Sequence, residues 1–342
     1  MKRRARFTQI GVLLVGLMLV AAACGGGGGT TATPTGGGTG TPQGEPLRIA
    51  VVAPSAPNDL AFTQSMVDAL NSLKGDRNLE VAVSDSLFVV EDAAAAIRDY
   101  ANDGYDLVIA HGSQYSGSVQ EIAPDFPDVS FAWGTAGDTF GLPNVFAYEA
   151  ASDQGGYVMG VMAAALSESG KIGVIGPIEV GDAKLYVDGF VNGAKAENSS
   201  VDVTVNYTQS FSDVALASEA ANSFIQAGAD VLTGTAQMVV GAIGVASEEG
   251  VPWFGTQSNQ TSLAPEIVVA NQVYHWEVVL TQILDKIEGG TLGGESYRIE
   301  LANDGEVIEY NDAYDLPDDV RAKGDDAVAG IIDGSIDTGA SG

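Results

Sequence analysis

The sequence predicts an α/β protein of two similar lobes, each a parallel sheet covered by helices on both faces. Three observations carry that reading. From Leu47 onward, short Val/Ile/Ala-rich runs alternate with longer segments of helical period, the pattern of parallel strands joined by crossover helices. The alternation then repeats at a nearly fixed spacing. Hydrophobic residues make up 45% of the 342-residue chain and charged residues only 18%, which is ample apolar material for two cores.

Taken in order, Arg48 to Ala53 reads as a buried strand, and Asp59 to Lys74 as a helix with Met66, Leu70 and Leu73 on one face. Leu79 to Ser84 is a strand, Glu91 to Asp103 a helix, Asp106 to Ala110 a strand, Gln114 to Ala123 a helix and Val129 to Trp133 a strand. The second series opens with Lys171 to Ile175. Glu80 is answered by Asp202, Gly104 by Gly228 and Phe131 by Trp253, at offsets of 122, 124 and 122 residues. We expect residues 47–147 plus about 272–342 to form the first lobe, and 148–271 the second. Ligands of such sheets bind beyond the carboxyl ends of the strands. Two lobes facing each other across those ends enclose a cleft suited to hinge closure on a small molecule.

Ahead of the lobes, Lys2, Arg3, Arg4 and Arg6 precede an apolar run from Ile10 to Val20, which ends at Ala21, Ala22, Ala23 and Cys24. Basic, apolar and small segments in that order form an export signal over residues 1–23, too short to span a membrane. Residues 24–46, rich in Gly, Thr and Pro, have nothing to bury and read as a tether with a reach of roughly 25 Å.

Charge and composition exclude several functions. Outside the leader 45 acids face 11 bases, a formal charge of -34, which repels phosphate backbones, so no nucleic acid partner is expected. One cysteine and two histidines, His111 and His275, are too few for a disulfide scaffold or a metal cluster of usual make-up. Both histidines read as hydrogen-bonded structural residues. There is no phosphate-binding loop, no His-Glu-x-x-His and no Gly-x-Ser-x-Gly, and the Asp-rich stretch from Asp304 to Asp326 lacks a calcium-loop pattern. Neither catalytic residues nor a cofactor are expected.

Several segments carry a resemblance. Asn58 to Thr63, Gly104 to Ile109, Phe126 to Ala132, Gly155 to Ala165, Lys171 to Gly173, Gly189 to Lys195 and Ser210 to Asp213, together with the signal ending at Cys24, resemble the basic membrane protein family. That family comprises substrate-binding lipoproteins of ABC importers, and its best-known branch resembles a receptor for purine nucleosides. The resemblance implies the type I periplasmic-binding-protein fold, a lipid on Cys24 and a monomer that delivers its ligand to a permease and ATPase. The membrane is met through the lipid anchor only. A neutral sugar as ligand, or a tethered sensor serving a membrane signalling partner, are the alternative readings.

The resemblance also supplies site candidates. Asn58 and Asp59 match the family's Asn-Asp pair and Phe62 its stacking aromatic, although either polar residue could simply cap a helix and Phe62 could be core. Phe211 matches a second stacking ring, with Tyr207 as the other choice and a hydrophobic staple as its plain role. Where the family has Gly-Val-Asp-x-Asp-Gln, this chain has Gly255-Thr-Gln257-Ser-Asn259-Gln260, and a family lysine falls near Tyr274. Two acids and a cation are thus replaced, and a neutral ligand with a flat face is expected. Read from the residues themselves, Gln114, Gln237, Gln257 and Asn259 sit at expected strand ends, where uncharged amides suit a nucleobase edge or a polyol. Trp133, Tyr274 and Trp276 could stack on such a ligand, with Trp276 equally able to serve the core.

Overall fold

The computed structural model describes residues 44–340. Its first sheet has the order β11-β5-β4-β3-β1-β2, every pair parallel: β1 (Leu47–Val52), β2 (Leu79–Ser84), β3 (Leu107–His111), β4 (Ser130–Gly134), β5 (Val145–Ala150) and β11 (Ser296–Ile299). The central strands β3 and β4 are buried throughout, as strands covered on both faces must be, which is why they read as continuous apolar runs. Helices α1 (Phe62–Leu73) and α8 (Glu277–Glu288) pack on one face, α2 (Val90–Asn102) and α3 (Ser116–Ile122) on the other.

The second sheet repeats that plan as β12-β10-β9-β8-β6-β7. Its strands are β6 (Lys171–Gly176), β7 (Asp202–Tyr207), β8 (Val231–Gly234), β9 (Trp253–Gln257), β10 (Val268–Tyr274) and β12 (Glu306–Tyr310), with β12 alone antiparallel. The outermost β7 alternates exposed and half-buried positions, the signature of an edge strand with one wet face. Its helices are α4 (Ser152–Leu166), α5 (Gly181–Glu197), α6 (Val214–Gln226), α7 (Val239–Glu249) and α9 (Asp318–Ile332). Helix α4 is apolar nearly all round because α5 and α9 cover it. A Cβ on Gly156 or Gly160 would strike the α5 backbone, and one on Gly189 or Gly193 the α4 backbone, so these glycines let the two helices cross in close contact.

The chain crosses between the sheets three times, at β5 to α4, β10 to α8 and β11 to β12. The C-terminal segment expected with the first lobe therefore divides. Helix α8 and strand β11 join the first sheet, whereas β12 pairs with β10 and α9 buries Val320 and Ala327 in the second core. The apolar residues of α9 match the α4 surface, a preference that composition alone does not reveal. Around the crossings Arg298 holds Asp153 at 3.2 Å and Glu149 at 3.7 Å, and the backbone N–H of Gly155 donates to Glu306 at 2.7 Å.

Candidate functional site

Both sets of strand carboxyl ends open onto one cavity between the lobes. The first lobe supplies Pro54, Phe62, Phe88, Gly112 to Gln114 and Thr135, and the second supplies Asp182, Ala183, Phe211, Ala236, Gln237 and Gln257. Ala236 and Gln257 have left-handed backbones, with φ of 81° and 69°, at the ends of β8 and β9. Non-glycine residues hold that conformation at a cost, and its occurrence twice at the cavity wall fits a functional site.

Phe62 forms the floor on the first-lobe side. One face of its ring lies on His111, with centroids 3.8 Å apart and planes 7° from parallel, and Trp276 meets both rings edge-on. His111 is fully buried, and its Nε2 lies 3.0 Å from the Phe62 carbonyl oxygen. A carbonyl only accepts, so Nε2 carries the proton, and Nδ1 accepts from the Tyr148 hydroxyl at 2.8 Å. Burial holds this imidazole neutral, with its pKa lowered to about 3. His111 thus backs the ring that faces the cavity.

The lobes are closed on one another. Gln237 Nε2 donates to Ser55 Oγ at 2.9 Å, Ser258 Oγ to the Ala61 carbonyl at 2.8 Å, and Thr135 Oγ1 to Asp182 Oδ1 at 3.1 Å. Asp182 stands in the first turn of α5, near the Gln257 side chain. Desolvation raises its pKa, against the pull of the Thr135 hydrogen bond and of the helix backbone. Among the cavity-lining residues it is the one carboxylate, and none is Lys, Arg or His. Such a wall repels phosphates and carboxylates and leaves aromatic faces and hydrogen bonds as the means of recognition.

The profile of the family described as "ABC transporter substrate-binding protein PnrA-like" matches residues 47–324. The chain belongs to this family. It is 27% identical over 299 residues to a purine-binding protein of Brucella abortus, covering 85% of this chain and 83% of that one. A nucleoside-binding protein of an ABC transporter from Lactococcus lactis is 25% identical over 315 residues, with 85% and 88% covered. Among solved structures, a solute-binding protein of an ABC transporter system from Conexibacter woesei superposes with a TM-score of 0.70 at 26% identity, covering 85% of this chain and 98% of that one. The two-lobed α/β architecture is that of these solute-binding proteins.

Within this substrate-binding fold, the cavity brings together Phe62, Gln114, Phe211, Gln237 and Gln257 of the residues singled out from the sequence. The others stand apart from it. Asn58 is exposed, and Asp59 is a helix cap whose carboxylate accepts from the backbone N–H groups of Ala61, Thr63 and Gln64. Trp133 stacks on Phe140 with its indole N–H given to the Gly112 carbonyl, and exposed Asn259 bonds Glu309. Tyr274 is buried behind the wall, its hydroxyl 3.5 Å from Asp182, and Trp276 is core. Cys24 lies outside the described residues. Asp182, the one carboxylate among the cavity-lining residues, was not among those singled out from the sequence, and no strand-end motif announces it. Its one signal was its place just inside a helix that follows a strand end. Among the described residues no helix is long and apolar enough to cross a membrane.

Proposed function

We propose that this member of the substrate-binding family captures a purine base or nucleoside by closing its lobes over it, and presents it to the permease and ATPase of an ABC importer while tethered through a lipid on Cys24. The observation that carries the ligand class is the cavity itself: Phe62, rigidly backed by His111, on one side, Phe211 on the other, and amide groups between. A planar heterocycle fills such a slot, and a base stacked on an aromatic ring gains about 1 to 3 kcal/mol in nucleic-acid binders. The relatives named for purines and nucleosides support the same class. The role is binding without chemistry, a reading supported by the solute-binding relatives.

Calorimetry with purine bases, their nucleosides, nucleotides and a panel of neutral sugars tests the proposal. Bases and nucleosides should bind, and nucleotides should bind poorly against a wall holding a carboxylate and no cation. Binding of sugars with no binding of purines would overturn the ligand class and leave the family membership intact.

A further inference from the structure

Phe88 lines the cavity and is not among the residues singled out from the sequence. At 46% exposure it stands at the cavity mouth, whereas Phe62 on the floor is buried. Its ring meets that of Phe211, with centroids 6.3 Å apart and planes at 52°. Phe88 comes from the loop between β2 and α2 of the first lobe, and Phe211 from the loop between β7 and α6 of the second. The contact therefore exists only while the lobes are together.

The two phenylalanines are counterparts in the internal repeat. Strand β2 runs from 79 to 84 and β7 from 202 to 207, an offset of 123 residues at both ends, and Phe88 and Phe211 keep that offset. The backbones agree as well. Ser86 and Gln209, each two residues before the ring, are both left-handed, with φ of 59° and 63°, a conformation that non-glycine residues hold at a cost. Each loop is tied to the chain just beyond the first strand of its own lobe: the Leu87 N–H donates to the Ala53 carbonyl at 3.0 Å, and the Gln209 N–H to the Pro177 carbonyl at 2.8 Å. A second tie lies beside each ring. The hydroxyl of buried Tyr115 donates to the Leu87 carbonyl at 2.8 Å, and the Met238 N–H to the Phe211 carbonyl at 3.0 Å. Asp85-Ser-Leu-Phe88 and Thr208-Gln-Ser-Phe211 share no side chain except the last, so the ring and its placement are what the two loops have in common.

We propose that Phe88 is a ligand-retaining residue, and that Phe88 and Phe211 form a two-jawed aromatic gate which closes over the bound molecule and sets the rate of its release. The inference goes beyond the purine reading, because the rings meet each other whatever molecule lies beneath them. A ligand that leaves must first part the rings, whereas one that enters meets lobes already open. The gate therefore acts on dissociation and hardly on association.

Two experiments on the full chain test this. In stopped-flow measurements with adenosine, Phe88→Ala should raise the release rate roughly three- to tenfold, the worth of one aromatic pair, and leave the association rate within about twofold of native. Phe88→Tyr keeps the ring and should release at the native rate. In a Phe211→Ala background the partner ring is gone, so adding Phe88→Ala should change release less than about twofold, a coupling that a merely weakened fold would not give. The second experiment needs no ligand. The double variant Phe88→Cys with Phe211→Cys, treated with the short thiol cross-linker dibromobimane, should yield a peptide joining positions 88 and 211, and neither single variant, each still carrying Cys24, should yield a cross-link. An unchanged release rate in Phe88→Ala, the same fold-change in both backgrounds, or no joined peptide overturns the gate while leaving the purine reading in place. Failure of the native protein to bind adenosine, with the joined peptide formed, counts against the purine reading and supports the gate.

Discussion

Glu306 offers a prediction whose size can be worked from the structure. It stands at the start of β12, where the chain completes its third crossing between the lobes, and is 1% exposed. Its Oε1 accepts from the Gly155 N–H and from the amide of Gln272, while Oε2 has no partner. Burial raises its pKa from 4.5 to about 8, outweighing these hydrogen bonds; Asp153 pushes the same way and Arg298 opposes it. The folded state therefore keeps a proton that the unfolded chain releases near pH 4.5. Stability from this group is complete below pH 4.5 and is lost as pH rises through 8, in total about 5 kcal/mol at 1.36 kcal/mol per unit. That is a large share of a typical folding free energy. Glu306→Gln keeps the acceptor at the same place and cannot ionise. Urea unfolding followed by tryptophan fluorescence at pH 5, 6.5 and 8 should show the native protein losing several kcal/mol across the series and the variant losing far less. At pH 8 the variant should be the more stable of the two. Parallel pH profiles for the two proteins would refute the reasoning.

Other predictions follow from the same groups. His111, with its pKa lowered to about 3, withholds a proton that the unfolded chain binds below 6.5, so its contribution is complete above pH 6.5 and is lost as pH falls toward 3. Nitrogen-15 NMR at pH 5 should show a neutral ring protonated at Nε2, and a ring titrating near 6.5 would contradict this. Phe62→Ala should weaken purine binding tenfold or more, since 1.4 kcal/mol is tenfold in affinity, and should also lower the melting temperature of the free protein through lost contact with His111 and Trp276. Calorimetry beside a thermal melt separates the two effects, and unchanged affinity would remove Phe62 from the site. Cys24→Ser should abolish lipid modification, read by mass spectrometry of the N-terminus; a modified, membrane-anchored variant would contradict the lipoprotein assignment.

Much of the fold was legible because buried parallel strands and amphipathic helices leave periodic traces. The runs that became β1, β3, β4, β6 and β9 are apolar for the plain reason that both faces of those strands are covered. The fate of the C-terminal segment was not legible. Whether β12 and α9 join the first or second sheet depends on surfaces formed by α4 and β10, far away in sequence. In the site, Gln237 and Gln257 could be found because they lie at or after strand ends, and Phe62 because it matches the family's stacking aromatic. Asp59 could be read as a ligand contact, a helix cap or both, and the structure shows its carboxylate accepting from three backbone N–H groups at the start of α1. Asp182 was missed because it enters from a helix start, and its importance arises from Thr135 and Gln257, neither of them near it in the chain.

The central claim is that the interlobe cavity holds a purine or its nucleoside. Mass spectrometry of the small molecule released when the purified protein is denatured tests this most directly. The account predicts a purine base or nucleoside in the released fraction from the native protein, and its loss from a Phe62→Ala preparation. Release of a sugar or another non-purine compound from the native protein, lost in the same variant, would contradict it.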